Sequence, residues 1–161
     1  MLFRSWALTT KNKGITITAS KSPLPVRTTF EQTRQGLQDG GVVLQETEGS
    51  KKVVFAVIGD MTLIPVFDAA ANLEEQGIGV KIVSVINPRR LYRPNDTASQ
   101  TCTDADNHFL DDQGFEKIFG GDALIGVTGG SSAMLEPIML RSNCRRDTFA
   151  WKRGETNPKS L

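Results

Sequence analysis

Val53-Val54-Phe55-Ala56-Val57-Ile58-Gly59-Asp60 holds the strongest strand signal in the chain. Its apolar run is unbroken and mostly β-branched, and Gly59-Asp60 stops it, which makes it a buried strand. A strand apolar on both faces needs cover on both faces, so it belongs inside a mostly parallel sheet. Leu63, Val66, Phe67, Ala70 and Leu73 follow at spacings of three and four, the period of a helix, and Gly77 ends that helix. Gly79 to Ile86 then reads as a second buried strand. Strand, helix and strand form a crossover unit, right-handed by default.

Working outward, Ile15, Ile17 and Ala19 alternate with Thr16, Thr18 and Ser20, a half-buried strand that Pro23 and Pro25 close. Thr28 and Glu31 have the spacing of a capping box, opening a helix that carries Phe30 and Leu37 and stops at Asp39-Gly40-Gly41. Val42-Val43-Leu44 is a short strand or the end of a connection. Beyond Asn87 the chain is irregular, and Asn95 to Asn107 is polar and without period, a loop. Asp111-Asp112 opens a short helix with Phe115, Ile118 and Phe119 inward. Ala123 to Val127 is another buried strand, followed by a turn and a helix bearing Met134, Leu135, Ile138 and Met139. Thr148 to Trp151 is a last strand. The expected architecture is α/β: a three-layer sandwich with a mostly parallel sheet of about five strands and helices on both faces. Residues 1–13, with Phe3, Trp6 and Leu8, read as an arm or a linker from a preceding domain, and residues 14–161 as a single α/β domain.

A net charge of +1 over 161 residues gives no global signal for nucleic acid or membrane. No apolar run reaches membrane-spanning length, and the N-terminus lacks a secretory pattern, so the expected location is cytoplasmic. Cys102 and Cys144 are then free thiols. With His108 as the sole histidine, no metal site is expected.

Ligands of such sheets sit at the carboxyl ends of the strands. Gly59-Asp60-Met61-Thr62 matches neither a dinucleotide fingerprint nor a phosphate loop, and Asp60 or Thr62 is read as a helix cap. Gly129, Gly130 and Ser131 follow a buried strand, so their N–H groups make a possible anion-binding turn; the plainer reading is a tight turn with a serine cap. Lys21, at a strand end before a proline-fixed turn, suits a phosphate as a point charge, although most loop lysines are merely solvated. Arg89, Arg90 and Arg93 form one basic cluster, and Arg141, Arg145, Arg146, Lys152 and Arg153 another; each suits a phosphate or an acidic partner, or is locally paired surface. No motif assembles a nucleophile, a base and an oxyanion hole, so no catalytic residue is assigned.

Several stretches, in order, resemble the C-terminal domain of thiamine-diphosphate-dependent phosphoketolases, which is related to that of transketolase. Ile15 to Pro23 is similar to a family strand ending in a Val-Ala-Gly-Lys-Gln-Pro type motif. Thr29 to Thr33 falls at a capped helix reading Ser-x-Glu-Glu-Ala. Val53 to Asp60 resembles a valine-rich strand ending Ala-Gly-Asp or Ala-Gly-Thr, and Val80 to Asn87 a strand like Lys-Val-Arg-Val-Val-Asn-Val. Leu110 to Phe115 is similar to Leu-Ser-Asp-Glu-Glu-Phe. The similarity spans most of residues 14 to 155. The chain departs from the family pattern at Thr128-Gly129-Gly130, where the family often has His-Gly-Tyr, and at Phe149 to Arg153, where it has Arg-Gly-Tyr. The family's following helical segment has no counterpart before Leu161, and residues 95 to 107 match nothing in it.

The resemblance implies a structural, dimer-supporting domain of an enzyme that cleaves xylulose 5-phosphate or fructose 6-phosphate with phosphate, giving acetyl phosphate. It implies one substrate-phosphate contact, Lys21, and no catalysis by this chain alone, hence a part of a lyase. Thiamine diphosphate and magnesium belong to the complete enzyme and not to this chain alone. The implied partners are the thiamine-binding domains, in the same or separate chains, and a sugar phosphate, in a whole enzyme that is a homo-oligomer. The alternative is a free-standing interaction or anion-binding module derived from the same domain.

Overall fold

The computed structural model describes residues 25–93 and 109–150. Strands β1 (Gly41–Glu46), β2 (Lys52–Ile58), β3 (Gly79–Val85), β4 (Ala123–Thr128) and β5 (Arg145–Phe149) form one sheet in the order β1-β3-β2-β4-β5. β2 pairs in parallel with both β3 and β4, and β4 in parallel with β5. β1 alone runs antiparallel, against β3, with a register shift between Val43 and Gln45. The helices are α1 (Phe30–Asp39), α2 (Leu63–Glu75), α3 (Asp112–Phe119) and α4 (Glu136–Met139). The fold is therefore α/β, with a mostly parallel five-stranded sheet as the central layer.

Alternation along β2 divides the core into two layers. Phe55 and Val57 face Val66 and Ala70 of α2, together with Val80, Ile82 and Val127. Val54 and Ala56 face the other way, onto Phe115 and Phe119 of α3 and onto Leu135, Ile138 and Met139 at α4. Phe115 and Phe119 stack at 4.8 Å between ring centroids. α1 lies beside β1, with Gly36 against Val42, and Arg27, just before it, stacks on the Phe67 ring of α2 at 3.9 Å. Helices thus cover both faces.

Several local expectations shift. The capping box of α1 is Thr29 with Gln32, one residue later than expected: the Thr29 hydroxyl accepts from Gln32 N and the Gln32 side chain from Thr29 N. Phe30 is mostly exposed, and the face that packs is marked by Gly36, where a bulkier residue would strike Val42. Neither Asp60 nor Thr62 caps α2 through its side chain; the Thr62 hydroxyl instead donates back to Gly59 O at 2.6 Å. The last strand starts three residues early, at Arg145, because it is an exposed edge whose charged residues carry no hydrophobic signal. The irregular stretch after Asn87 supplies core residues, Leu91 fully buried and Tyr92 donating its hydroxyl to Met134 O at 2.9 Å. Asp111 caps α3 as its position suggests, accepting from Gly114 N at 2.7 Å.

The arm at 1–13, the strand at 15–20 and the loop at 95–107 lie outside the described residues. Among the described residues, no helix is long and apolar enough to cross a membrane.

Candidate functional site

The strand order fixes where a ligand can meet the sheet. From β2 the chain crosses through α2 to β3 on one side, then returns to β4 on the other. The carboxyl ends of β2 and β4 therefore flank the topological switch point, the usual crevice for ligands in open α/β sheets. Ile58 pairs with Thr128 at the last rung of that ladder. Beyond it, Gly59 takes a φ of 103°, a conformation that favours glycine, and the chain folds into a short 3-10 turn over Asp60–Thr62. The turn after β4 comes back against it: a Cβ placed on Gly129 would stand 3.6 Å from the Thr62 methyl.

The turn at Gly129, Gly130 and Ser131 is held by its own side chains. Gly130 N donates to the Thr128 hydroxyl at 3.1 Å. Ser131 is the cap that the plainer reading expects, accepting from Ala133 N at 3.3 Å. Ser132 reaches the Glu136 carboxylate at 2.8 Å, which locks the turn onto α4.

Beside this crevice, a cleft of about 260 Å³ opens between the carboxyl ends of β2 and β3 and the entry to α1. Asp60 and Ser84 stand in its wall with Val42, Leu63, Ile64 and Ile86. Pro25 to Thr28 form the opposite wall, where the Thr28 and Thr33 hydroxyls are 3.0 Å apart. Nothing in the sequence pattern marks this cleft, because its walls come from four segments far apart in the chain.

Lys21, His108, Cys102, Lys152 and Arg153 lie outside the described residues. Several of the described arginines of the two clusters are held by local partners. Arg90 donates to Gln38 O at 2.6 Å, and Arg93 pairs with Asp112 at 3.5 Å. Arg141 is buried, while Arg146 donates to Met139 O and Ser142 O, both at 3.2 Å. A buried lysine went unmarked in the sequence. Lys81, in the middle of β3, reaches Glu46 at 3.1 Å and Lys117 O at 3.2 Å. Lys52 joins the same carboxylate at 2.8 Å, and the two cations hold Glu46 below its ordinary carboxylate range, Lys52 contributing most. This network lies at the amino-terminal end of the sheet, around Lys52, away from the carboxyl edge. Among the described residues, no group of three or more His, Cys, Asp or Glu side chains could hold a metal.

No protein-family model matches the sequence, and no curated protein matches it. Among solved structures, transketolase from Campylobacter jejuni subsp. jejuni is similar at 20% identity and a TM-score of 0.44, covering 71% of this chain. This chain spans 14% of the length of that transketolase. The class assigned here, an α/β domain with one antiparallel edge strand, rests on the sheet itself.

Proposed function

We propose that this chain is the C-terminal-domain-like module of a phosphoketolase-like enzyme, a cytoplasmic lyase acting on xylulose 5-phosphate or fructose 6-phosphate. It supports the dimer and contributes one substrate-phosphate contact, Lys21. The chemistry belongs to thiamine-binding domains in the same or separate chains, which hold thiamine diphosphate and magnesium. The cofactor supplies carbanion stabilisation when bound there.

The observation that carries the reading is the convergence of the carboxyl edge. The ends of β2 and β4 meet at the switch point, and the cleft beside them is walled by Pro25 to Thr28. Lys21 stands four residues before Pro25 in the sequence. A lysine suits a phosphate as a flexible point charge. The ordered sequence resemblance supplies the family, and the motif matched by Lys21 supplies the role.

The test is Lys21→Ala in the complete enzyme. A phosphate contact made equally in ground and transition states raises KM for the sugar phosphate and leaves kcat nearly unchanged. Unchanged KM and kcat would remove Lys21 from the site.

A further inference from the structure

The cleft beside the switch point combines an apolar body with polar groups of one kind. Val42 of β1 and Ser84 of β3 are paired neighbours in the sheet, and both line it, as do Leu63 and Ile64 at the start of α2. Small-molecule sites have this composition, mostly apolar walls with a few polar groups that fix orientation.

The polar groups are acceptors. The Asp60 carboxylate lines the cleft and, among the described residues, carries no hydrogen bond or ion pair. The Ser84 hydroxyl is likewise without a partner among them. The Thr33 hydroxyl donates to Thr29 O at 3.0 Å and lies 3.0 Å from the Thr28 hydroxyl. A hydroxyl has a single proton and a carbonyl only accepts, so Thr28 spends its proton on Thr33 and keeps lone pairs alone to offer. Arg27 is the basic residue among the described lining residues, and its guanidinium is already stacked on the Phe67 ring at 3.9 Å.

We propose that this cleft binds a small organic ammonium ion, a ring-sized apolar body carrying a primary amine at one end. The ammonium brings only donors, and the Asp60 carboxylate with the Thr28 and Ser84 oxygens accepts them. The apolar body lies against Val42, Leu63 and Ile64. Size agrees: an apolar cavity of about 150 Å³ accepts benzene, and about 260 Å³ leaves room for a ring and a short amine arm. An anion of the same shape would face the Asp60 carboxylate instead. The inference is separate from the proposed enzyme role and does not rest on it.

The test titrates the full chain at low ionic strength with probes of one shape and different charge: phenethylammonium, the neutral 2-phenylethanol and the anionic 3-phenylpropionate. Binding is followed by NMR through the amide signals of the chain. The expected result is saturable binding of the ammonium that moves the amides of Thr28, Ile64 and Ser84, with the alcohol weaker and the carboxylate weakest. Asp60 is exposed and its side chain holds nothing in place, so Asp60→Asn keeps the fold. It weakens the ammonium about fivefold, the scale of an exposed ion pair, and leaves the alcohol unchanged. Asp68→Asn is the control, an exposed carboxylate on α2 outside the cleft wall, and it changes neither.

No saturable binding of phenethylammonium overturns the proposal. So does equal affinity for the three probes, or 3-phenylpropionate binding as tightly as the ammonium. An effect of Asp68→Asn equal to that of Asp60→Asn also overturns it, because the cation would then be answering to surface charge in general.

Discussion

Arg141 and Asp112 are joined by a 2.8 Å charged hydrogen bond, and the same guanidinium ties together two segments far apart in the sequence. Arg141 donates to Leu91 O at 3.0 Å and to Leu110 O at 2.8 Å. Leu110 N donates to Arg90 O at 2.9 Å and joins the same two segments. The guanidinium is sandwiched by Phe109 and Phe115, each 4.3 Å from the ring centroid. Its side chain is 1% exposed, and its Nε is buried without a partner. What reads in sequence as a member of a basic surface cluster is a structural clamp.

Replacing Arg141 by Met therefore strands two carbonyls and the aromatic pair. The expected loss is about 2–3 kcal/mol, the cost of leaving buried polar groups unpaired, seen as a lower denaturant midpoint. Arg141→Lys recovers only part of it, because an ammonium cannot span both carbonyls and the carboxylate with a planar fork. Asp112→Asn changes the midpoint much less, since its carboxylate is 71% exposed.

The ion pairs also set an acid limit. Asp112 is held below its ordinary carboxylate range, chiefly by its hydrogen bond from Arg141, and Glu46 likewise by Lys52. Both folded-state values lie below the unfolded ones, so the unfolded chain takes up protons first as the pH falls. The stabilisation is complete above the ordinary carboxylate range, near pH 4, and disappears as the pH drops through the lowered values. Denaturation midpoints measured from neutral to strongly acidic pH should fall only at the acid end. The double variant Asp112→Asn, Glu46→Gln should flatten that fall.

Gly79 opens β3 where the turn before β2 crosses it. A Cβ there would come within 2.7 Å of Gly49 N and 2.8 Å of Thr47 O. These are backbone atoms that cannot turn aside, and the neighbouring bonds from Gly79 N to Lys51 O and from Thr47 N to Val80 O, both 2.8 Å, hold them in place. Gly79→Ala should cost about 1–3 kcal/mol, the range for overpacking, in chemical denaturation.

Gly129 offers the opposite case. A Cβ at this position meets only the Thr62 methyl at 3.6 Å, an ordinary contact. Gly129→Ala should leave stability within about 0.5 kcal/mol. If the turn at Gly129, Gly130 and Ser131 approaches an anion, the same variant raises the KM for phosphate in the enzyme proposed above. An unchanged KM for phosphate assigns the turn to packing alone.

The sheet was legible because its strands carry the signal themselves. β2 and β3 are buried on both faces, and the periodicity between them is helical. What the sequence concealed lay at edges and in irregular segments. β5 is charged because it is an exposed edge, and Leu91 and Tyr92 are core residues set among arginines. Lys81 is buried because Glu46, on the neighbouring strand, meets it. The cleft is a property of four segments at once, so no local pattern announces it. Gly59 and Gly129 were each readable as the end of a strand, but their place on either side of the switch point needed the strand order.

The most direct test of the central claim is to isolate the native protein from its source, undenatured, and assay it for acetyl phosphate formed from xylulose 5-phosphate and phosphate. The expected result is activity in an assembly that contains thiamine-binding domains, in a longer chain or as separate subunits. A homogeneous protein of this chain's mass, with no thiamine-binding polypeptide and no acetyl phosphate formed, would contradict it.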